Sequence, residues 1–336
     1  MKSEDIIMKM GIVHILDSMM GIPVLSDCTI DLGSDLSDFL KAHIEKFSES
    51  DDVKHCTFSN DSEIKELVEK CVPDNFIKTS QKLAETLYGI MNSNIDIPPA
   101  DVAVVVFSCS GTDYLGFLKL NYKTSYTHTT KAAEGKNSNE IILQRAILPS
   151  QSQRLGEAFL VNLANGELLL TEKKYEVNGE KRLYLSELFL KCHAPLSQKS
   201  KLDIVTKAVE QVNKKYYGEE DTGRKMEIKK AIYQELEEEG SLKVEAIKEK
   251  VFPHSPEMQE DLDEKLEKYD MIHEVVEPKN EQTIKKFQKQ RLTTETGIEI
   301  SIPMEEYQNP DHVEFITNQD GTVSVLIKNI GQLKTR

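Results

Sequence analysis

Apolar and polar positions change their period several times along the chain, and each change marks a different kind of structure. The runs "IIMKMGIVHIL" (6–16) and "IPVLSDCTIDL" (22–32) mix apolar blocks with alternation on either side of "DSMMG", whose Gly21 suits a turn, and predict a hairpin. The spacing then becomes helical. "GSDLSDFLKAHIEKFSES" carries Leu36, Phe39, Leu40, Ile44 and Phe47 at intervals of one, three and four, with Ser34 placed as an N-cap. "NDSEIKELVEKCV" and "PDNFIKTSQKLAETLYGIMNS" predict two more helices, the second with Phe76, Ile77, Leu83, Leu87 and Ile90 on one side.

At Asp101 the period shortens to two. "DVAVVVFSCS" reads as a strand buried on both faces, and "DYLGFLKLNY" as its alternating partner across Gly111-Thr112. "NEIILQRAIL" follows a polar loop at "EGKNSN", and "GEAFLVNLANGELLLTEKKYEV" contains Asn165-Gly166, a favoured hairpin turn. Asn178-Gly179 repeats the device before "EKRLYLSELFL". The expectation is an antiparallel meander of at least five strands in one sheet.

From Lys199 helix formers dominate. "SKLDIVTKAVEQVNKKYY", "DTGRKMEIKKAIYQELEEEG", "SLKVEAIKEKVF" and "SPEMQEDLDEKLEKYDM" predict four short helices, the last entered through Ser255 as N-cap and Pro256 at the first helical position. Beyond Pro278 the tail is β again: "GIEISIPM" alternates, and "HVEFITNQDGTVSVLIKNI" is a hairpin turning at Asp320-Gly321. A lone hairpin is marginal in water, so Val323, Val325 and Ile327 are expected to form a half-buried face docked on earlier structure. The chain therefore reads as α+β. An antiparallel sheet with packed helices fills an N-terminal domain (1–198), a small helical subdomain spans 199–283, and a basic connector with a C-terminal β-hairpin spans 284–336.

Charge sharpens this picture. The net charge of 336 residues is -15, but it is unevenly spread. Residues 1–100 hold 9 basic against 18 acidic side chains and residues 201–283 hold 14 against 22, whereas 101–200 hold 12 against 10 and 284–336 hold 7 against 7. An acidic chain is not coated in nucleic acid by bulk electrostatics, yet one positive face remains compatible with it. No apolar run approaches membrane-spanning length, and Glu4 and Asp5 sit where a signal peptide would be basic and then apolar, so a cytoplasmic protein without a membrane partner is expected. The cysteines, Cys28, Cys56, Cys71, Cys109 and Cys192, are odd in number and lack a C-x-x-C pair, which fits reduced and mostly buried thiols.

A search for chemistry returns little. Gly135-Lys136 lacks the first glycine and the hydroxyl neighbour of a phosphate-binding loop, and no G-x-G-x-x-G, G-x-S-x-G or H-E-x-x-H occurs. The adjacent pairs His55-Cys56 and Cys192-His193 do not have ligand spacing. Glu257, Asp261 and Glu264 could share one helix face, but Lys265 and Lys268 lace that face and read as its solvated counterions. His14, alone in an apolar strand, reads as packed and hydrogen-bonded. No catalytic residue, metal or cofactor is expected.

What stands out is "IKKFQKQRL" (284–292), where Lys285, Lys286, Lys289 and Arg291 fall within nine residues without an acid. Taken by spacing alone, it is either a solvated helix end and connector or a phosphate contact. A second basic set, Lys173, Lys174, Lys181 and Arg182, brackets the Asn178-Gly179 turn with Tyr175 among them, where stacking or a sugar contact would be available. Glu172, Glu176 and Glu180 offset that set, and "KMEIKK" is a further basic run.

The opening "IVHIL", the helix "FIKTSQKLAETLYGIM" leading into "ADVAVVVFSC…DYLGFLKLNY", the segment "YLSELFLKC" taken as a strand, and the closing "GIEISIPMEEYQNPDHVEFITNQDGTVSVLIKN" together resemble the bacterial nucleoid-associated proteins of the YejK/NdpA type over nearly the full length. That resemblance implies a cytoplasmic protein of the nucleoid with a DNA-associated role, and it carries over no catalytic residues. Three functions stay open at this point. One is sequence-tolerant DNA binding through backbone contacts of a local basic face. Another is a nucleoid adaptor that binds a second nucleoid protein. The last is a hydrolase whose cluster forms only on folding. A homodimer is also open, and would follow from an exposed apolar strip on a sheet edge or helix.

Overall fold

In a computed structural model of the protein, the described residues are 1–71, 73–133, 136–218 and 222–332. They form an α+β structure that divides into two compact units, Met1–Ser197 and Gln198–Arg336.

The first unit runs β1 (Ile6–Leu16), α1 (Ser34–Ser48), β2 (Lys54–Phe58), α2 (Glu63–Glu69), α3 (Phe76–Asn92), β3 (Ala100–Cys109), β4 (Thr112–Asn121), β5 (Lys123–Ala133), β6 (Lys136–Ile147), β7 (Ala158–Asn162), β8 (Leu168–Thr171), β9 (Tyr175–Val177), β10 (Glu180–Arg182) and β11 (Cys192–His193). Seven strands make one antiparallel sheet in the order β1-β3-β4-β7-β8-β2-β11. Its centre explains the continuous apolar run at 102–107. On β3, Val102, Val104 and Val106 face a core completed by Leu83, Leu87 and Met91 of α3, while Ala103, Val105 and Phe107 face Leu40, Ile44 and Phe47 of α1. Helices on both sides leave no strand face there for polar residues.

Several expectations fail for physical reasons. Residues 22–32 do not form the second strand of a hairpin. Ile15 and Val24 make a single bridge, Ile30 donates one further backbone bond to Gly11, and β1 takes β3 as its full-length partner. The next strand in the chain is β2, only five residues long, inserted between β8 and β11. Gly33, not Ser34, occupies the N-cap of α1, and the Ser34 hydroxyl turns to Asp35. "YLSELFL" is not a strand. Leu185–Phe189 form a π-helical turn closed by Leu190 N–H donating to the Leu185 carbonyl at 2.7 Å, which buries Tyr184, Leu185, Phe189 and Leu190 together.

The single meander is also corrected, because two of its hairpins leave the sheet. β5 and β6 form a separate ribbon, and so do β9 and β10. Tyr126 is the one large apolar residue of β5, too little to enter a sheet covered on both faces. Glu134 and Gly135 of the expected polar loop lie outside the described residues.

The second unit contains α4 (Gln198–Tyr217), α5 (Thr222–Glu239), β12 (Leu242–Lys243), α6 (Val244–Val251), α7 (Pro256–Glu267), β13 (Val275–Val276), α8 (Glu281–Lys285), β14 (Lys289–Thr293), β15 (Glu299–Pro303), α9 (Met304–Tyr307), β16 (Val313–Thr317) and β17 (Val323–Ile327). The four expected helices are α4 to α7, although α4 and α5 run to 20 and 18 residues. Leu202, Val205, Val209 and Val212 form the buried stripe of α4, and Met258, Leu262 and Leu266 that of α7. Pro256 takes the first position of α7 after Ser255, whose side chain makes no capping bond.

"GIEISIPM" supplies β15, but its partner is β14, drawn from the basic run itself. The hairpin β16–β17 turns at Gly321 (φ 83°) as expected, while the expected half-buried face shrinks to Val325, with Val323 58% and Ile327 51% exposed. The hairpin is anchored through β16 instead, by buried Val313 and by Phe315 against the Tyr307 ring at 5.6 Å.

Candidate nucleic-acid interface

Local spacing explains how the basic run meets other cations. On α5, Lys225, Lys229 and Ile232 follow at intervals of four and three and so share a face. On α4, Asp203, Thr206 and Glu210 do the same. After α8 the chain turns at Phe287, whose ring is buried, and enters β14, where Gln290 is buried between exposed Lys289 and Arg291. These segments enclose a cavity of about 370 Å³, lined by cationic Lys225, Lys229, Lys286 and Arg291 and by apolar Met226, Ile232, Phe287 and Leu292. Among the described residues lining it, Glu210 is the one acid.

The electrostatics follow from this crowding. Burial lowers the pKa of Lys229, and the nearby charge of Arg291 lowers it further. The Lys229 ammonium is held by donation to the Lys289 carbonyl at 2.6 Å. Lys286 pairs with Asp203 at 2.5 Å and lies 5.0 Å from the Phe287 ring centroid. Of the four cations first singled out, the structure thus brings Lys286 and Arg291 into one cavity. Lys285 pairs with Glu281 at 3.3 Å across one helical turn, and Lys289 contributes its carbonyl. Lys225 and Lys229 belong to the run "KMEIKK", and only the α5 face shows which of its lysines point the same way.

The second basic set is more dispersed. Asn178 (φ 52°) and Gly179 (φ 83°) form the expected tight turn between β9 and β10. Arg182 is held by Glu180 through two hydrogen bonds of 2.9 and 3.2 Å, and Lys181 stands opposite Glu176 in the ladder. Lys173 lies over Gly156, and Lys174 is exposed. The Tyr175 hydroxyl donates to Glu157 at 2.8 Å in a buried network.

Residues 12–334 match the protein family described as nucleoid-associated protein YejK, which is almost the entire chain. The chain belongs to this family. A comparison with curated proteins finds no match. In this member of the YejK family no described helix is long and apolar enough to cross a membrane. The other candidate groups have structural partners. His14 is fully buried, accepts from the Ser26 N–H through Nδ1 and faces the Ser80 hydroxyl through Nε2, both at 3.1 Å, and burial lowers its pKa to about 4. Asp261 of α7 pairs with Lys215. Among the described residues, no three His, Cys, Asp or Glu side chains are placed to hold a metal ion.

One polar cluster of the first unit gave no sequence signal. The Glu157 carboxylate is fully buried and accepts from Lys119 at 3.2 and 3.3 Å, Asn121 at 2.6 Å, Tyr175 at 2.8 Å, and Tyr184. Burial pushes its pKa up, but Lys119 and the three other donors outweigh burial and leave it below its ordinary value. Burial also lowers the pKa of Lys119. Lys119 interrupts the apolar run Leu115–Leu120 of β4, and its acid lies 38 residues away, so pairing them requires the register of β4 with β7.

Proposed function

We propose that this YejK-family protein binds DNA without reading sequence, through phosphate contacts of the basic face formed by Lys225, Lys229, Lys286 and Arg291. The observation that carries the proposal is their convergence on one cavity with a single lining acid, in a chain whose overall charge is -15. Burial first, and the charge of Arg291 second, disfavour the charged form of Lys229, and a phosphate beside it offsets that cost. Lys285 and Lys289 flank this face as further contacts. Lys173, Lys174, Lys181 and Arg182 form a separate basic tip that adds weaker contacts, because acids already stand beside Lys181 and Arg182.

Fluorescence anisotropy with two duplexes of unrelated sequence, read across salt concentration, tests this. Each phosphate contact contributes a slope of about -0.9 in log K against log salt. Changing Lys225, Lys229, Lys286 and Arg291 together to Gln flattens the slope by up to about 3.6 and weakens both duplexes alike. Asp203→Asn, which frees Lys286 from its ion pair, strengthens binding. A folded quadruple variant with the parent's affinity and slope refutes the proposal.

A second reading, the nucleoid adaptor, has its own observation. On the β5–β6 ribbon Tyr126 pairs with Leu143 and His128 with Ile141, which gives one face three large apolar side chains 72%, 41% and 78% exposed. Such a face suits a protein contact, with a partner or with a second copy. Pull-down before and after nuclease treatment separates the two readings: a partner that stays after nuclease is held by protein, and one that leaves is bridged by DNA.

A further inference from the structure

The concavity itself is left over once the cations have been assigned to phosphates. A duplex presents its phosphates on a convex ridge, and a row of exposed lysines would meet them without a recess. Here the cations stand around a cavity of about 370 Å³, within the range of roughly 300–1,000 Å³ typical of small-molecule sites. Its interior is not built for phosphate alone. Met226 and Ile232 of α5, Phe287 and Leu292 line it with apolar surface. Gln290 also lines it and is 4% exposed. Its Nε2 donates to the Met226 carbonyl at 3.0 Å, which fixes the amide, and its Oε1 can act only as an acceptor. Cationic rim, apolar interior and one buried acceptor match a molecule with an anionic head and a flat, largely apolar body whose edge carries a donor.

We infer that this cavity takes one nucleotide unit, with its phosphate among Lys225, Lys229, Lys286 and Arg291 and its base against Met226 and Leu292, within reach of Gln290. The inference rests on the phosphate-binding reading of these four cations. The same chemistry is offered by an unpaired nucleotide of a bound strand and by a free nucleotide. Oε1 of Gln290 favours bases with an exocyclic amine, so adenine is preferred to thymine.

Three probes decide it: a blunt duplex, the same duplex with a single-stranded adenine overhang carrying 2-aminopurine, and free dAMP. The overhang is expected to bind about tenfold more tightly than the blunt duplex, with a change in 2-aminopurine fluorescence, and a thymine overhang less tightly than the adenine one. Thr206→Phe fills the cavity from α4 and leaves all four cations in place, so it removes the overhang's advantage and keeps the blunt-duplex affinity and salt slope. Leu292→Gln makes the interior polar from the strand side and weakens the overhang in the same direction, which covers the case of a misfolded Thr206→Phe. Binding of dAMP that competes with the overhang supports the site and identifies free nucleotide as a ligand, whereas overhang binding without dAMP binding supports it with the strand as the source. Equal affinity for overhang and blunt duplex, with silent 2-aminopurine and no binding of dAMP, overturns the inference and leaves the phosphate-contact proposal standing. Loss of blunt-duplex binding alone overturns the duplex reading, and absence of all binding overturns both.

Discussion

Replacing Glu157 by Gln keeps the shape of the side chain and removes its charge and one of its two acceptor oxygens. In the structure those oxygens accept from Lys119, Asn121, Tyr175 and Tyr184, and both Lys119 and Glu157 are at most 1% exposed. The variant therefore leaves the Lys119 ammonium buried without a counterion and turns an amide N–H₂ toward groups that are themselves donors. Breaking a buried pair on one side costs about 3–5 kcal/mol. Against a domain stability of roughly 5–15 kcal/mol this is about a fifth of the total or more. At about 2–4 °C per kcal/mol for a unit of this size, the melting midpoint falls by roughly 10 °C. Urea unfolding followed by circular dichroism measures the loss directly, since the chain has no tryptophan to report it. The pH dependence has a definite sign. The folded pKa of Glu157 lies below its ordinary value, so its stabilisation is present above about pH 4.5 and is lost as pH falls through the folded value, and Glu157→Gln removes that acid limb. The double variant Lys119→Met with Glu157→Leu recovers most of the loss, because it leaves no buried charge behind. A loss below about 1 kcal/mol in the single variant, or a double variant no better than the single, refutes the argument that this pair is held by mutual compensation.

His14 is buried and neutral, with its pKa near 4 against an ordinary 6.5. The unfolded chain takes up that proton first, so stability declines as pH falls from about 6.5 to about 4, by roughly 3 kcal/mol in all; His14→Gln flattens this decline in urea midpoints, and parallel pH curves would contradict it. Gly116 sits at the centre of β4, where an added Cβ meets Val105 at 3.0 Å and Leu160 at 3.1 Å, so Gly116→Ala costs about 1–3 kcal/mol, with an unchanged thermal midpoint as the opposing result. Cys28 is exposed, whereas Cys56 and Cys109 are buried, and the hydrogen bond of the Cys56 thiol to Cys192, with burial, pushes that thiol up. Ellman's reagent in native buffer should label Cys28 first and Cys56 only on unfolding, and prompt labelling of Cys56 would show that strand β2 opens readily.

Where a pattern was long and locally consistent, the sequence by itself settled the element. The stripes of α3, α4 and α7, the β3–β4 hairpin and the turns at Asn165-Gly166, Asn178-Gly179 and Asp320-Gly321 need nothing beyond periodicity and backbone sterics. Short segments were decided elsewhere. Leu185–Phe189 offers apolar residues at spacings that suit a strand or a helical turn, and burial of Tyr184 against Glu157 selects the turn. β2 is too short to signal itself and becomes a strand because β8 and β11 offer it ladder bonds. Ile22–Leu32 has strand composition and still yields one bridge to β1, whose full-length ladder is with β3. The candidate site divides in the same way. A cation-rich run without acids is visible as text, and it named Lys286 and Arg291. Their convergence with Lys225 and Lys229, sixty residues earlier in the chain, depends on α5 and β14 packing in the second unit. Residues of like charge have no mutual attraction to announce their proximity; the burial of Ile232, Phe287 and Gln290, with the Lys229 bond to the Lys289 carbonyl and the Lys286–Asp203 pair, brings the four together.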